Sequence, residues 1–109
     1  MELTRDVYRL SQRFPQHELY GLTSQARRAA VSVPANIAEG HTRDSIKEFL
    51  HHISFALGSL AELETLFLLA ESLGYFRHED VVALLNKCDQ EGKMLRALQK
   101  NLKRKLSSP

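Results

Sequence analysis

Apolar side chains recur along this chain at intervals of three and four, the spacing that gathers them on one face of an α-helix. Leu3, Val7, Leu10 and Phe14 form the first stripe and predict a helix over 2–14. Pro15 ends it, because a proline disfavours helical geometry in the residue before it. Residues 15–21 (PQHELYG) read as a connection whose Leu19 and Tyr20 fold back on the bundle. Over 22–40 the stripe is Leu22, Ala26, Ala29, Val33 and Ile37, mostly small side chains that allow a neighbour to approach closely, with Thr23 or Ser24 as the cap. Pro34 falls inside this segment. It removes the hydrogen bond to the Ala30 carbonyl and its ring clashes there, at a cost of roughly 3 kcal/mol in a helix interior. The helix therefore kinks at Pro34, the favoured reading, or stops near Ser32 and restarts. Gly40 is expected to supply the left-handed residue that ends it.

The third segment, 45–73, carries Ile46, Phe49, Ile53, Ala56, Leu60, Leu63, Phe67 and Ala70 in one seam, ending at Gly74. Ser45 and Glu48 have the spacing of a capping box at its start. One seam does not use up this segment. Phe55, Leu68 and Leu69 fall outside it, and residues 66–70 (LFLLA) are apolar nearly all round. A helix apolar on several sides is buried on several sides, so homo-oligomerisation is expected, with Phe55, Leu68 and Leu69 at the interface. The fourth segment, 78–106, places Val81, Leu84, Leu85, Cys88, Leu95, Leu98, Leu102 and Leu106 at helical spacing. Glu79 and Asp80 suit its N-terminal dipole, and Lys103, Arg104 and Lys105 its C-terminal end. Gly92 interrupts the pattern and weakens the helix or marks a close contact. The reading is all-α, a single bundle domain over 1–109.

Composition agrees. With 109 residues, 43% hydrophobic and 26% charged, the chain has the make-up of one globular domain. A lone cysteine excludes an internal disulfide and fits a reducing compartment. The N-terminus lacks the continuous apolar run of a signal peptide, and no run approaches 18 apolar residues, so a cytoplasmic chain without membrane contact is expected. Charge is divided unevenly: residues 1–43 carry a net +2, residues 44–92 a net −6, and residues 93–109 a net +6.

Candidate chemistry is sparse. Glu48 and His51 form one Glu-x-x-His pair, but a di-iron bundle site needs a second pair and two further glutamates, so no metal site is assigned. Cys88 lies on an apolar stripe, where a thiol packs rather than reacts. No Ser/His/Asp pattern, phosphate loop or zinc spacing is present, and neither an enzyme nor a cofactor is expected. The remaining candidates are cationic: a stripe of Arg5, Arg9 and Arg13, the pair Arg27 and Arg28, and the cluster Lys100, Lys103, Arg104 and Lys105. Such groups bind nucleic-acid phosphates by charge neutralisation and counterion release, although a solvated helix face carries the same residues. With no aromatic strand motif, contact with RNA would be to backbone and shape.

The run LTSQARRAAVSVPANIAEG over 22–40, preceded by Phe14, Pro15, Glu18, Tyr20 and Gly21, resembles the bacterial four-helix-bundle family named for the 23S rRNA intervening sequence. The likeness continues through Arg43, resumes at residues 47–49 and in FALGSLAELETLFLLAESLGY over 55–75, and fades in the fourth segment. The resemblance implies an up-and-down antiparallel bundle that assembles as a homopentamer and carries no catalytic residues. It is similar to the accessory proteins of diversity-generating retroelements, which implies RNA, a reverse-transcriptase-like protein or another ribonucleoprotein as partner. Glu39, disfavoured at a helix C-terminus, is expected to be held by Arg43 or by a neighbouring subunit. The resulting expectation is a non-catalytic homo-oligomer that binds structured RNA or a nucleoprotein through its basic groups. The alternative is a protein–protein adaptor without direct nucleic-acid contact.

Overall fold

The computed structural model describes residues 1–108, which form four helices and no strand: α1 (Glu2–Ser11), α2 (Ser24–His41), α3 (Ile46–Ser72) and α4 (His78–Ser107). Cross-helix bonds give the topology. Thr4 meets Ala30 and Ser11 meets Arg27, so α1 and α2 are antiparallel. Ser59 meets Ser32 and His52 meets Asn36 between α3 and α2, and Asp80 meets Arg13 and Lys87 meets Asp6 between α4 and α1. The result is an up-and-down bundle measuring 54 × 24 × 19 Å. Because α1 is short, the second half of α4 runs on beyond it.

The seam of α3 occupies the centre. Ile53, Ala56, Leu60, Leu63, Phe67 and Ala70 are buried, with Ile46 and Phe49 half-buried at its first turns. Val7, Ala26, Ala29, Val33, Val81, Leu84 and Leu95 pack against it from the other helices. Burial of each large aliphatic side chain stabilises by about 1.5–3 kcal/mol.

Several sequence expectations are corrected at the ends of elements. α1 stops at Ser11, not Phe14. Phe14 is buried all the same, edge-on to Phe76 at 5.0 Å and near Phe67 at 5.9 Å, because the turn after α1 swings it into an aromatic cluster. The connection holds a short 3₁₀ turn (Gln16–Glu18) and a π-helical turn (Leu19–Thr23). Leu19 and Tyr20 do not fold back; both are exposed, Tyr20 at 92%. Glu18 sets this geometry. Its carboxylate accepts from the Leu22 N–H at 3.3 Å and from the Tyr75 hydroxyl at 3.0 Å, which turns Leu22 inward and Tyr20 outward. Neither Thr23 nor Ser24 caps α2: Thr23 is helical and makes no capping bond.

α2 runs unbroken from Ser24 to His41 with Pro34 inside it, so it does not stop near Ser32 and restart. The Ala30 carbonyl that Pro34 cannot serve instead accepts from the Thr4 hydroxyl of α1 at 3.2 Å. Gly40 is not a left-handed terminator. It lies within the helix, and a Cβ there would sit 2.8 Å from Phe49 Cδ1 and 3.1 Å from His52 Cβ. The left-handed glycine is Gly74, φ +79°, which closes α3 with Gly74 N–H donating to the Glu71 carbonyl and Tyr75 N–H to that of Ala70. At the other end of α3, Ser45 accepts from the Glu48 N–H at 3.1 Å, as the sequence predicts.

By length and composition alone α3 is long and apolar enough to cross a bilayer, although its seam is the bundle's core.

Candidate nucleic-acid interface and assembly surfaces

The motif of α2 becomes readable once α3 lies against it. Ser59 Oγ donates to Ser32 Oγ at 2.8 Å, and Asn36 Nδ2 donates to the Ser32 carbonyl at 2.9 Å. Asn36 Oδ1 faces His52 Nδ1 at 3.0 Å, and Arg43 Nε donates to His52 Nε2 at 3.3 Å, which puts the imidazole proton on Nδ1. Glu39 lies 3.8 Å from Arg43 and 3.3 Å from His52 Nδ1. Ser32, Asn36, Glu39 and Arg43 thus form one polar track along the α2–α3 seam. Arg43 lies within ion-pair reach of Glu39, while its Nε is given to His52.

The predicted cations divide into two classes. Arg9 pairs with Asp6 at 2.8 Å, and Arg13 pairs with Asp80 at 2.9 Å while lying over the Phe76 ring. Arg27 is half-buried; its Nε donates to Ser11 Oγ at 2.9 Å and its guanidinium covers the Tyr8 ring. These three are engaged by other groups of the same chain, Arg9 and Arg13 at the exposed surface and Arg27 half-buried. Arg5 and Arg28 are exposed without a carboxylate partner among the described residues. The same holds for Lys100, Lys103, Arg104 and Lys105. Sequence reasoning left two neighbours out of this last group. Arg96 lines a hollow of about 370 Å³ with Lys100, Lys103 and Arg104, and Lys47 at the start of α3 faces Lys103 across a second hollow of about 330 Å³. Helical spacing alone could have added Arg96; only the antiparallel packing of α3 on α4 brings in Lys47.

Asp6 is the buried member of a charge cluster whose other groups reach solvent. It is 6% exposed and ion-paired to Lys87, which also reaches Glu2 at 3.2 Å. The hydrogen bond from Lys87 holds the Asp6 carboxyl below its usual range against the opposing effect of burial, and Asp6 raises the Lys87 ammonium in return. Cys88 is buried, and desolvation followed by Glu64 and Glu91 pushes its thiol up to about 12. It has no nucleophilic character at neutral pH. Glu48 and His51 are exposed, and no cluster of three or more His, Cys, Asp or Glu side chains able to hold a metal occurs among the described residues.

Two apolar surfaces face solvent. On α3, Phe55 (57%), Leu68 and Leu69 (45%) are exposed, as is Leu73 just after its last turn. Between α1 and α2 a groove of about 580 Å³ is lined by Tyr8, Leu19, Tyr20, Val31 and the Arg27–Arg28 pair, with Ser24 and Ser32. The sequence did not signal this groove, because its walls come from three separate segments.

Comparison with known proteins is consistent with this architecture. The family profile described as 23S rRNA-intervening sequence protein matches residues 1–97. A solved structure of a protein of unknown function from the S23 ribosomal protein family of Bacteroides thetaiotaomicron is 22% identical. It superposes with a TM-score of 0.84 over 91% of this chain and 93% of that one, a likeness of fold. Among curated proteins none matches.

Proposed function

The chain belongs to the 23S rRNA-intervening sequence protein family, and from that premise we propose that it is a non-catalytic, self-associating bundle that binds structured RNA through the free end of α4. The observation that carries this reading is the group Arg96, Lys100, Lys103, Arg104 and Lys105: five cations on one helical segment, with no acid from residue 93 onward and no carboxylate within ion-pair distance among the described residues. An unneutralised run of this kind attracts a polyanion, and Lys47 adds a cation from α3 across a hollow that Glu48 also lines. The exposed apolar residues of α3 support assembly from several copies, a pentamer in the family's manner, which would repeat the basic end around an axis and multiply its affinity.

Retention of a labelled hairpin RNA on a filter at low salt tests the binding. The native chain is expected to retain it, and a variant with Lys100, Lys103, Arg104 and Lys105 changed to Ala to lose most of that retention. The adaptor reading is favoured by the pairing of Arg9 and Arg13 with carboxylates and of Arg27 with Ser11, which leaves fewer unpaired cations than the sequence suggests. It takes over if the native chain retains no RNA.

A further inference from the structure

We infer that the groove between α1 and α2 receives the outer strip of α3 from a second copy of this chain, so that copies join head to tail. The inference rests on the self-association proposed above and adds which two surfaces meet. The groove is lined by the exposed apolar side chains of Tyr8, Leu19, Tyr20 and Val31 and by an arginine pair, with no carboxylate in its lining. The outer strip of α3 has the complementary character. Phe55 and Leu69 are exposed on it beside the exposed Glu62, Leu73 continues it past the helix end, and from residue 48 to residue 76 the chain contains no lysine or arginine. One surface is apolar and cationic, the other apolar and anionic, which is the complementarity that selects a partner.

Position agrees with chemistry. Ser32 lies opposite Ser59 and Asn36 opposite His52, and this antiparallel register continued along α3 brings Leu69 level with the beginning of α2, where the groove opens. Two copies with parallel long axes therefore present groove and strip at the same height. The two surfaces lie on different helices of one chain, so the contact is heterologous: each copy offers its strip to one neighbour and its groove to another.

Val31 and Leu69 are 43% and 45% exposed, so Val31→Glu and Leu69→Glu place a charge on each surface without entering the core. Light scattering is applied to each variant, alone and mixed, at a concentration where the native chain assembles, with helical circular dichroism as the check on folding. Each variant alone is expected to fall to the monomer mass of 12.4 kDa. Their equimolar mixture is expected to form a species of twice that mass, since the intact groove of one accepts the intact strip of the other and nothing can extend the pair. A Val31→Glu chain that assembles like the native one overturns the inference and leaves self-association standing, through α3 alone. A mixture that stays monomeric overturns it as well. A native chain that is itself monomeric overturns the self-association reading and this inference with it.

Discussion

Pro34 removes the donor that the Ala30 carbonyl would use in an unbroken helix, and the Thr4 hydroxyl replaces it at 3.2 Å. Leaving a buried acceptor unpaired costs about 1–3 kcal/mol, so Thr4→Val is expected to lower stability by about that much in urea denaturation. The loss should shrink in a Pro34→Ala background, where residue 34 again has an N–H for Ala30. Equal losses in both backgrounds would show that the bond is not what Thr4 contributes. Gly40→Ala sets two effects against each other: alanine favours helix by about 1 kcal/mol, while its Cβ would press on Phe49 and His52 in a site where overpacking costs roughly 1–3 kcal/mol. Packing is expected to win, giving a net loss of stability read from the melting temperature. Asp6 makes stability depend on acid. Its carboxyl is held low in the folded chain, so the Lys87 pair contributes fully above about pH 4, near the unfolded carboxyl's value, and is lost as pH falls through the lower folded value. Asp6→Asn should flatten that part of a stability–pH curve. Cys88 should resist alkylation at pH 8 in the native chain and react once denaturant unfolds it.

At the scale of elements, periodicity located all four helices, because each buries a continuous stripe and a stripe is visible in one dimension. The α3 seam is the clearest case: of its eight positions six are buried and two half-buried. Element ends were legible only where a local signal decides them. Ser45 caps α3 through its own side chain, but α2 has no side-chain cap, and Glu18 instead caps the π-helical turn that leads into it, which no local pattern at 22–24 could show. Phe14 continued the stripe of α1 at the right spacing although the chain had already turned. Burial and helical phase coincide there for different reasons. Gly40 was misread because a glycine near a helix end looks alike whether it is needed for a positive φ or for the approach of Phe49.

For the whole molecule, the division of charge between a basic C-terminal segment and an acidic middle was legible, and the fold keeps it. What the sequence could not show was which cations are already engaged. Asp6, Asp80 and Ser11 lie 3, 67 and 16 residues from the arginines that they hold, so most of that information is tertiary. The cations left unpaired are Arg5 and Arg28 singly and the end of α4 as a group, with Lys47 beside it, and the proposed interface is placed on that group.

The salt dependence of RNA affinity tests that claim most directly. Each phosphate neutralised contributes about 0.7–0.9 to the slope of log affinity against log salt. Replacing Lys100, Lys103, Arg104 and Lys105 by Ala should therefore flatten the slope by about 3, while Arg9→Ala/Arg13→Ala should leave it nearly unchanged. No affinity at low salt, or an equal slope for the native chain and the four-alanine variant, would contradict the account.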